Sequence, residues 1–414
     1  MSFVIFPLDD YHWLATGFTV TLPKISLMNF NDTQIAFSNR SNSELKRAWL
    51  LFSSLQNRFL FRTSESFITF CIKKKVPVDW IVKPTVFRQF CGGTKLEECI
   101  PVVSQLGRFN VKGILDYSAE SGDSQEVIEE TLTETLRSID LTAGHPNIAY
   151  AVFKPTAFCK KEVLKKMSSS GDIDPEILLE ANSFRSYVDL LCKLAYDKNV
   201  PIMIDAEDFA FQKFIDNVVE DMMEKYNKEK AIVYNTLQMY RTDRLEFYAE
   251  SLEKAKRKNY FLGIKLVRGA YMERERLRAQ SYDYPSPIWP NKEETDIAFD
   301  KAQEFSIRNI DHISLFSGTH NEHSCIYLAE LMKQHNLPNN DPRVYFSQLY
   351  GMSDQISFNL AKQGYNVAKY IPYGPVNKVL PYLLRRAEEN SSIADQTGRE
   401  LKLITTELKR RRKK

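Results

Sequence analysis

The sequence lacks the features that define several common protein classes. Its 414 residues contain no Gly-x-Gly-x-x-Gly after any strand candidate and no Gly-x4-Gly-Lys-Ser/Thr, which disfavours a nicotinamide-type Rossmann domain and a P-loop. No run of 18 apolar residues occurs, so we expect no membrane-spanning helix. Asp9 and Asp10 directly follow the apolar start of the chain and no basic stretch precedes it, which argues against a signal peptide.

Cysteine and unbalanced charge are also scarce. The six cysteines form no Cys-x-x-Cys pair, which in a chain of this length indicates reduced thiols that act as small buried hydrophobes. The 56 Lys and Arg residues are almost matched by 53 Asp and Glu residues, and a net charge of +3 does not suit a protein that binds nucleic acid through a basic face. With 43% apolar and 26% charged residues, the chain has the composition of a soluble globular protein.

What the sequence does contain is an alternation of strand and helix patterns over residues 111–395. Eight short runs rich in Val, Ile and aromatic residues each precede a charged segment with helical spacing, and this alternation predicts a (β/α)8 barrel, with an open doubly wound sheet as the alternative. The strand candidates are 113–118, 149–155, 200–207, 232–240, 261–269, 311–320, 344–349 and 366–374. The helix candidates are 125–138, 175–197, 208–227, 242–258, 293–309, 322–335, 353–363 and 376–390.

The two ends of the chain differ from this pattern. Residues 1–110 contain amphipathic helical stretches at 43–59, 64–76 and 95–107, so we predict an N-terminal helical arm that packs against the barrel. Residues 396–414 form a basic C-terminal tail that ends in KRRRKK. This tail is either a solvated, disordered end or an electrostatic contact to an anionic membrane surface.

Polar residues collect where the predicted strands end, which in a (β/α)8 barrel is the side that carries the active site. Because buried polar groups without partners are costly, this ring favours a site for a polar ligand. Gly269 among them would let the backbone approach that ligand closely. The ring consists of Lys154, Asp205, Glu207, Gln238, Tyr240, Lys265, Arg268, Gly269, Gly318, Thr319, His320, Asn321 and Tyr370.

Several of these residues also have simpler explanations. Lys154 and Lys265 can each be a strand-end lysine that extends its ammonium group to solvent. His320 and His323 form a His-x-x-His pair, but zinc sites need three or four ligands and no third His or Cys lies near in sequence. We therefore predict no metal.

Two pairs of charged residues remain open to more than one interpretation. Asp205 and Glu207 could be the acid–base pair of a glycosidase, or a charge anchored by Lys154. Arg385 and Arg386 follow each other on the last predicted helix. An adjacent arginine pair can grip a carboxylate, because each guanidinium presents a planar fork of donors, or it can belong to a salt-bridged surface helix.

Taken together, motifs across residues 88–395 resemble the proline dehydrogenase family. GIKLVRGAYMERE (263–275) with KEETD (292–296) resembles the fifth-strand region of that family, and SGTHN (317–321) resembles its sixth-strand motif. QLYGM (348–352) and YIPYGPVNKVLPYLLRRAEEN (370–390) resemble its seventh strand and its closing strand and helix. Upstream motifs fall in the order of the family at 114–121, 153–157, 204–208 and 235–245.

The resemblance implies a distorted (β/α)8 TIM-type barrel that binds FAD without a covalent bond. It implies oxidation of L-proline to Δ1-pyrroline-5-carboxylate, the first step of proline catabolism, with hydride passing from proline C5 to flavin N5. The electrons would then pass to a quinone, the enzyme would touch the inner membrane reversibly from the cytoplasm, and the product would go to a separate pyrroline-5-carboxylate dehydrogenase. The absence of an evident organelle address favours a bacterial enzyme.

The resemblance also assigns residues to roles. Asp205 and Lys265 are the candidate catalytic residues, with Lys265 beside flavin N5 where some members have arginine. Lys154, Arg385 and Arg386 would bind the substrate carboxylate, and Leu349 and Tyr370 would pack on the proline ring. Glu120 would pair with the first arginine as a gate. The cofactor contacts would be Ala206, Gln238, Val267, Arg268, Gly269, Lys292, Thr319, His320, Asn321 and Glu389.

Two alternative functions stay open at this point. The bulk of Tyr370 would disfavour a 4-hydroxyl group, yet a hydroxyproline dehydrogenase is the alternative within the family. A catalytically inactive barrel that acts as a binding module is the alternative outside it. Met272 stands where some members have tryptophan, so stacking on the adenine is not implied here.

Overall fold

Eight parallel strands close into a barrel in this computed structural model, which describes residues 29–56, 82–118, 124–169, 171–380, 383 and 394–413. Each strand pairs with the next one along the chain, and the eighth pairs with the first. The predicted (β/α)8 barrel is therefore confirmed, and the open sheet is excluded. The strands are β1 Val111–Tyr117, β2 Ile148–Phe153, β3 Ile202–Ile204, β4 Val233–Gln238, β5 Leu262–Val267, β6 Ile313–Gly318, β7 Val344–Leu349 and β8 Val367–Tyr373.

Helices surround the barrel and follow the predicted segments closely. Between β1 and β8, two helices were not predicted, Lys161–Ser168 and Met272–Ser281, which are only 8 and 10 residues long. The α-helices are α1 Thr33–Ala36, α2 Asn42–Gln56, α3 Arg88–Phe90, α4 Ile100–Gly107, α5 Gln125–Gly144, α6 Lys161–Ser168, α7 Pro175–Asp197, α8 Phe209–Tyr226, α9 Arg244–Lys258, α10 Met272–Ser281, α11 Lys292–Arg308, α12 Glu322–Gln334, α13 Asp354–Lys362 and α14 Ala394–Arg412.

Aromatic rings fill the interior of the barrel below the strand ends. The ring of Tyr150 makes edge-on contacts with Tyr234, Phe316 and Tyr345, with ring centres 5.2–5.3 Å apart. Side chains alternate between the two faces of a strand, so every second residue after these rings along each strand points into the barrel above them. This packing closes the lower part of the barrel and leaves its C-terminal mouth for polar side chains.

The N-terminal arm and the C-terminal helix share a second apolar cluster outside the barrel. Residues of α1, α2 and α14 pack there with Met352, which lies directly after β7. The predicted helix at 43–59 is α2, the one at 95–107 includes α4, and the one at 64–76 lies outside the described residues. The buried members of the cluster are Ala36, Phe37, Leu45, Ala48, Phe52, Val82, Phe87, Phe90, Cys91, Met352, Val376, Val379, Leu380, Leu383, Leu403 and Ile404.

The basic C-terminal segment is a packed helix, so the expectation of a solvated, disordered end was wrong for residues 394–412. Arg410 and Arg411 both bind Glu407, whose side chain is fully buried. Arg411 also donates to the carbonyl oxygens of Phe37 and Arg40 in the arm. These bonds hold α14 against the arm. Across the residues that the structure describes, no helix combines the length and apolarity needed to cross a membrane.

Candidate active site

Polar side chains from several strands meet at the C-terminal mouth of the barrel. Asp205, directly after β3, lies between the side chains of Lys265 and Tyr370. Its Oδ1 accepts a hydrogen bond from Lys265 Nζ at 2.6 Å, and its Oδ2 accepts one from the Tyr370 hydroxyl at 2.7 Å. Lys265 Nζ also lies 4.7 Å from the centre of the Tyr370 ring. One carboxylate thus orients both a cation and a phenol at the barrel mouth.

Lys154 joins this group from β2. Its Nζ lies 2.7 Å from both carboxylate oxygens of Asp116 on β1 and 3.8 Å from Asp205 Oδ2. Asp116 is completely buried. We call Asp116, Lys154, Asp205, Lys265 and Tyr370 the mouth cluster. The structure therefore brings together four residues that the sequence singled out, and it adds Asp116.

The two carboxyl groups of the mouth cluster have opposite pKa shifts. Burial raises the pKa of Asp116 and outweighs the opposing effect of Lys154. Burial acts in the same direction on Asp205, but the charges of Lys265 and Lys154 outweigh it and lower the pKa of Asp205. With two ammonium groups, one firmly ionised carboxylate and one that protonates more readily, the cluster favours an anionic ligand.

Gln238, at the end of β4, is tied to the segment that follows β3. Its Nε2 donates to the backbone oxygen of Glu207 at 2.7 Å. The Glu207 carboxylate accepts hydrogen bonds from the Thr156 amide at 2.9 Å and the Thr156 hydroxyl at 2.6 Å. Asp205 and Glu207 therefore bind different partners, which disfavours the glycosidase interpretation. Ala206 lies between them at the rim of the mouth.

Arg268, which follows β5, connects three elements. Its guanidinium donates to Asp296 at 2.6 Å, to the Thr319 hydroxyl at 2.5 Å and to the Ser324 hydroxyl at 2.9 Å. Lys292 also binds Asp296, so Lys292 and Arg268, two of the predicted cofactor contacts, share this carboxylate. Charged and hydroxyl donors thus line the rim between β5 and β6.

His320 connects the end of β6 to the end of β7. Its Nδ1 lies 2.9 Å from the Ser353 hydroxyl, and the Leu349 amide donates to its Nε2 at 3.4 Å. Leu349 is the register partner of Tyr370 in the adjacent strand. The predicted substrate contacts Leu349 and Tyr370 are therefore neighbours, and His320 lies against the first of them.

Asn321 has a structural task at this rim. Its side-chain oxygen accepts hydrogen bonds from the amides of His323 and Ser324, which caps the first turn of α12. The sequence suggested a ligand role for this residue, and the cap is compatible with one because its amide nitrogen is not used in the cap.

Gly269 is required by the protein itself as well as by any ligand. Its φ is +131°, and a Cβ atom there would lie 2.5 Å from the ring of Tyr240. A larger residue would therefore displace the chain between β5 and α10. Val267 anchors the same turn, because its carbonyl oxygen accepts the Met239 amide at 2.8 Å.

His320 and His323 do not share a common ligand position. His320 contacts Ser353, whereas His323 Nδ1 lies 3.4 Å from Asp300. Within the described ranges, no three His, Cys, Asp or Glu residues are arranged to hold a metal ion. The predicted gate residue Glu120, the arginines Arg385 and Arg386, and Glu389 all lie outside the described residues, and their roles remain predictions.

Asp116 is the functional candidate that sequence reasoning missed. It lies in the ILDYS run, two positions after the inward-facing Ile114. The period-two alternation of a strand places such a residue on the interior face. An acidic residue on the predicted interior face of the strand was therefore the available signal.

Comparison with known proteins bears on this site. A family profile described as proline dehydrogenase matches residues 99–399. The chain is 30% identical over 429 residues to "Proline dehydrogenase 1, mitochondrial" of Dictyostelium discoideum. This alignment covers 92% of this chain and 74% of that protein. It is 33% identical over 322 residues to "Carbapenem antibiotics biosynthesis protein CarD" of Pectobacterium carotovorum, which covers 78% of this chain and 83% of that protein.

The fold is also similar to that of a solved structure. Proline utilization A (PutA) from Bdellovibrio bacteriovorus, inactivated by N-propargylglycine, superimposes with a TM-score of 0.68 at 19% sequence identity. The match covers 90% of this chain and 38% of that larger chain. At this identity the likeness shows the shared fold.

Proposed function

This chain belongs to the proline dehydrogenase family, and we propose that it binds FAD and oxidises L-proline to Δ1-pyrroline-5-carboxylate. Family membership makes it an oxidoreductase of proline catabolism. The observation that carries the finer proposal is the mouth cluster, in which Asp205 orients Lys265 and Tyr370 beside the Lys154–Asp116 pair. It combines cations for a carboxylate with an aromatic wall for a small ring.

The substrate would bind through its carboxylate to Lys154. An ammonium group presents three donors, so Lys154 can bind a carboxylate while it keeps Asp116. Arg385 and Arg386, which belong to the family motif at 370–390, would also bind the substrate carboxylate. Leu349 and Tyr370, adjacent across β7 and β8, would pack on the ring and fix its orientation. Such positioning of the reacting carbon supplies a large part of catalysis.

The residues along β5 and β6 fit an anionic dinucleotide cofactor. The side chain of Arg268 is 21% exposed, and three of its five N–H donors have partners among the described residues. The remaining donors can bind a pyrophosphate, together with Thr319, His320 and Asn321. Gln238, Ala206, Val267 and Gly269 would line the isoalloxazine ring and ribityl chain, with Lys292 near the nucleotide end.

Each residue then has a defined task. When bound, the flavin supplies N5 as the acceptor of the hydride from proline C5 and passes the electrons to a quinone. Lys265 would place its positive charge beside that ring, where it favours the negative charge that reduction adds. Asp205 holds Lys265 in this position through the 2.6 Å bond. The aromatic floor around Tyr150 excludes water from below.

A surface of α2 and α14 would bring the enzyme to a quinone-bearing membrane. Trp49 Nε1 donates to the Thr405 hydroxyl at 3.2 Å, so these two exposed helix faces adjoin. Trp49 and Leu50 are 39% and 63% exposed. Lys46, Lys402 and Lys409 lie three or four positions from Trp49 or Thr405, and all three are exposed.

Cations beside an exposed tryptophan suit the headgroup region of an anionic bilayer, at roughly 1 kcal/mol for each cation. We expect the protein to sediment with vesicles of anionic phospholipid and to stay in the supernatant with neutral vesicles. Replacement of Lys46, Lys402 and Lys409 by Gln should weaken this binding while turnover with a water-soluble acceptor stays unchanged. Equal sedimentation of the triple variant would contradict the surface.

Anaerobic titration of the purified protein with L-proline tests the activity. We expect flavin absorbance bands that bleach as proline is added. In the matched variant Lys154→Met the bands should remain and bleaching should be at least about 100-fold slower, because the carboxylate contact is lost. A folded protein that shows no flavin bands after FAD is supplied would overturn the proposal and favour the inactive binding module.

A further inference from the structure

A second charged centre lies behind the active site, on the other face of β8. Tyr370 points into the barrel, and its neighbour Lys369 points away from it and is completely buried. Lys369 Nζ donates to the Met352 carbonyl oxygen at 2.5 Å and to that of Leu349 at 3.5 Å, and it lies 2.9 Å from Asp354 Oδ1. This lysine therefore holds the segment that follows β7.

The N-terminal arm supplies a second cation to the same carboxylate. Arg40, which directly precedes α2 in the arm, donates from Nε to Asp354 Oδ2 at 3.2 Å. Burial opposes ionisation of both groups, yet Asp354 raises the pKa of Arg40, and Lys369 with Arg40 lowers the pKa of Asp354. Arg40 and Asp354 are therefore charged, whereas burial outweighs the effect of Asp354 and lowers the pKa of Lys369. Asp354 thus joins β8 to the arm.

The C-terminal helix supplies the remaining contact. Glu400 of α14 is buried and accepts a hydrogen bond from the Ser353 amide at 2.5 Å. Ser353 has a φ of +51°, in the left-handed region that residues other than glycine and asparagine rarely adopt. Its hydroxyl does not cap α13 and instead lies 2.9 Å from His320 Nδ1. We call Arg40, Ser353, Asp354, Lys369 and Glu400 the back cluster.

The segment 349–354 that the back cluster holds is also part of the active-site rim. Leu349 at its start is the partner of Tyr370 in the sheet, and its amide donates to His320. Ser353 near its end contacts the other nitrogen of His320. A shift of this segment would therefore move a proposed substrate contact and a proposed cofactor contact together.

We propose that Arg40 and Glu400 are positioning residues for the reaction, because through Asp354, Lys369 and Ser353 they fix the placement of Leu349 and His320. This inference rests on the proposed function for the roles of those two residues. Arms and tails that merely cover a barrel need only apolar contacts, and an apolar cluster already joins these helices. Buried ion pairs add little stability over apolar packing, so the effect of this cluster is to impose one geometry on the rim.

The test uses the flavin-loaded, full-length protein with two substitutions at each position. Arg40→Met and Glu400→Leu remove the polar contacts, whereas Arg40→Lys and Glu400→Gln retain a cation and an acceptor. We expect Arg40→Met and Glu400→Leu to raise the KM for proline and the dissociation constant of the flavin about tenfold each. The conservative variants should recover most of both losses.

Arg410→Met is the matched control. Arg410 joins α14 to Gln34 of the arm and to Glu407, without contact to the segment 349–354. It should leave KM and flavin affinity unchanged, whatever its effect on the melting temperature. If Arg40→Met has no effect on these two constants, or if Arg410→Met changes them equally, the positioning role is wrong.

The failure of this inference can be told apart from that of the proposed function. If the unsubstituted protein binds flavin but does not oxidise proline, the proposed function fails. In that case, the flavin affinity of the four variants, compared with that of the unsubstituted protein, still tests whether Arg40 and Glu400 position His320. If Arg40→Met does not fold, two other comparisons decide the same question. Arg40→Lys is then compared with the unsubstituted protein, and Glu400→Leu is compared with Glu400→Gln.

Discussion

The mouth cluster and the back cluster are built from the same chemistry on opposite faces of one strand. Each centres on a carboxylate with two cations, Asp205 with Lys265 and Lys154 in the first, and Asp354 with Lys369 and Arg40 in the second. In each case the positive charges outweigh burial and lower the pKa of the central carboxyl group. The neighbours Lys369 and Tyr370 place the two clusters back to back.

The clusters differ in what surrounds them. The side chains of Lys154, Asp205 and Lys265 are 8–14% exposed, so the mouth cluster is partly open to solvent. Lys369 has no exposed surface, because the arm, α13 and α14 cover it. An ion cluster at an open mouth can exchange a partner for a ligand. A sealed cluster can only hold backbone, so its loss should appear first as a loss of stability.

The largest effect should come from Lys369→Met compared with Lys154→Met. In the back cluster, Asp354 would stay charged with Arg40 alone, and the carbonyl oxygens of Leu349 and Met352 would each lose one donor. We expect the free energy of unfolding to fall by about 3 kcal/mol. In the mouth cluster, the raised pKa of Asp116 lets this carboxyl group take up a proton when its partner is lost. Lys154→Met should therefore lower the free energy of unfolding by only about 1 kcal/mol.

Urea unfolding of both variants and of the unsubstituted protein measures this difference, with flavin present in excess. Kinetics on the same samples should show the reverse order, with Lys154→Met the more damaging to kcat/KM. Equal losses of stability from the two substitutions would remove the distinction between an open and a sealed cluster.

The sequence was sufficient to predict the barrel because the strand signal is local. Each strand is a short apolar run with a charged helix after it, and all eight appear at the predicted positions. The mouth residues followed from the same pattern, since polar residues that directly follow a strand must lie at one end of the barrel. Lys154 and Asp205 were found in this way, whereas Lys265 and Tyr370 lie within β5 and β8.

The back cluster could not be predicted in the same manner. Arg40 and Asp354 are 314 positions apart, and Ser353 and Glu400 are 47 positions apart. Their contacts depend on how the arm and α14 dock on the barrel, and nothing in the local sequence specifies that docking. Lys369 had a local signal, a lysine within an apolar strand, but its direction became clear only from the helices outside β8.

The pH dependence of stability should separate the sealed cluster from ordinary surface charge. Burial, followed by the charge of Asp354, raises the pKa of Glu400 to about 7, although the Ser353 amide, Lys369 and Arg40 act in the opposite direction. The folded protein therefore binds this proton more tightly than the unfolded chain does. Stability from Glu400 is fully present below pH 4.5 and is lost as pH rises to about 7, by roughly 3 kcal/mol in total.

Unfolding free energies of Glu400→Gln and of the unsubstituted protein at pH 5 and pH 8 test this sign. The fall in stability between the two pH values should be smaller in Glu400→Gln. Glu407→Gln on the same helix is the control, because hydrogen bonds from Arg410 and Arg411 overcome burial and lower the pKa of Glu407. Its stability loss should be the same at both pH values. A parallel fall in Glu400→Gln and the unsubstituted protein would contradict the assignment.

The smallest effect should come from Tyr370→Phe, which alters the mouth cluster without moving β8. The variant loses the 2.7 Å hydrogen bond to Asp205 and keeps the ring beside Lys265. A hydrogen bond to a charged group is worth roughly 1.5–3 kcal/mol, so kcat/KM for proline should fall about tenfold. Stability should change little, because Lys265 still neutralises Asp205.

The same substitution tests substrate choice. Removal of the phenolic oxygen leaves room beside the ring, so the ratio of kcat/KM for 4-hydroxyproline to that for proline should rise several-fold over the ratio in the unsubstituted enzyme. Tyr345→Phe, lower in the barrel against Tyr150, is the matched control and should leave both constants within about twofold. If Tyr370→Phe behaves like this control, the phenol is not part of the substrate site. The mouth cluster would then end at Asp205, and its open side would face only the cofactor.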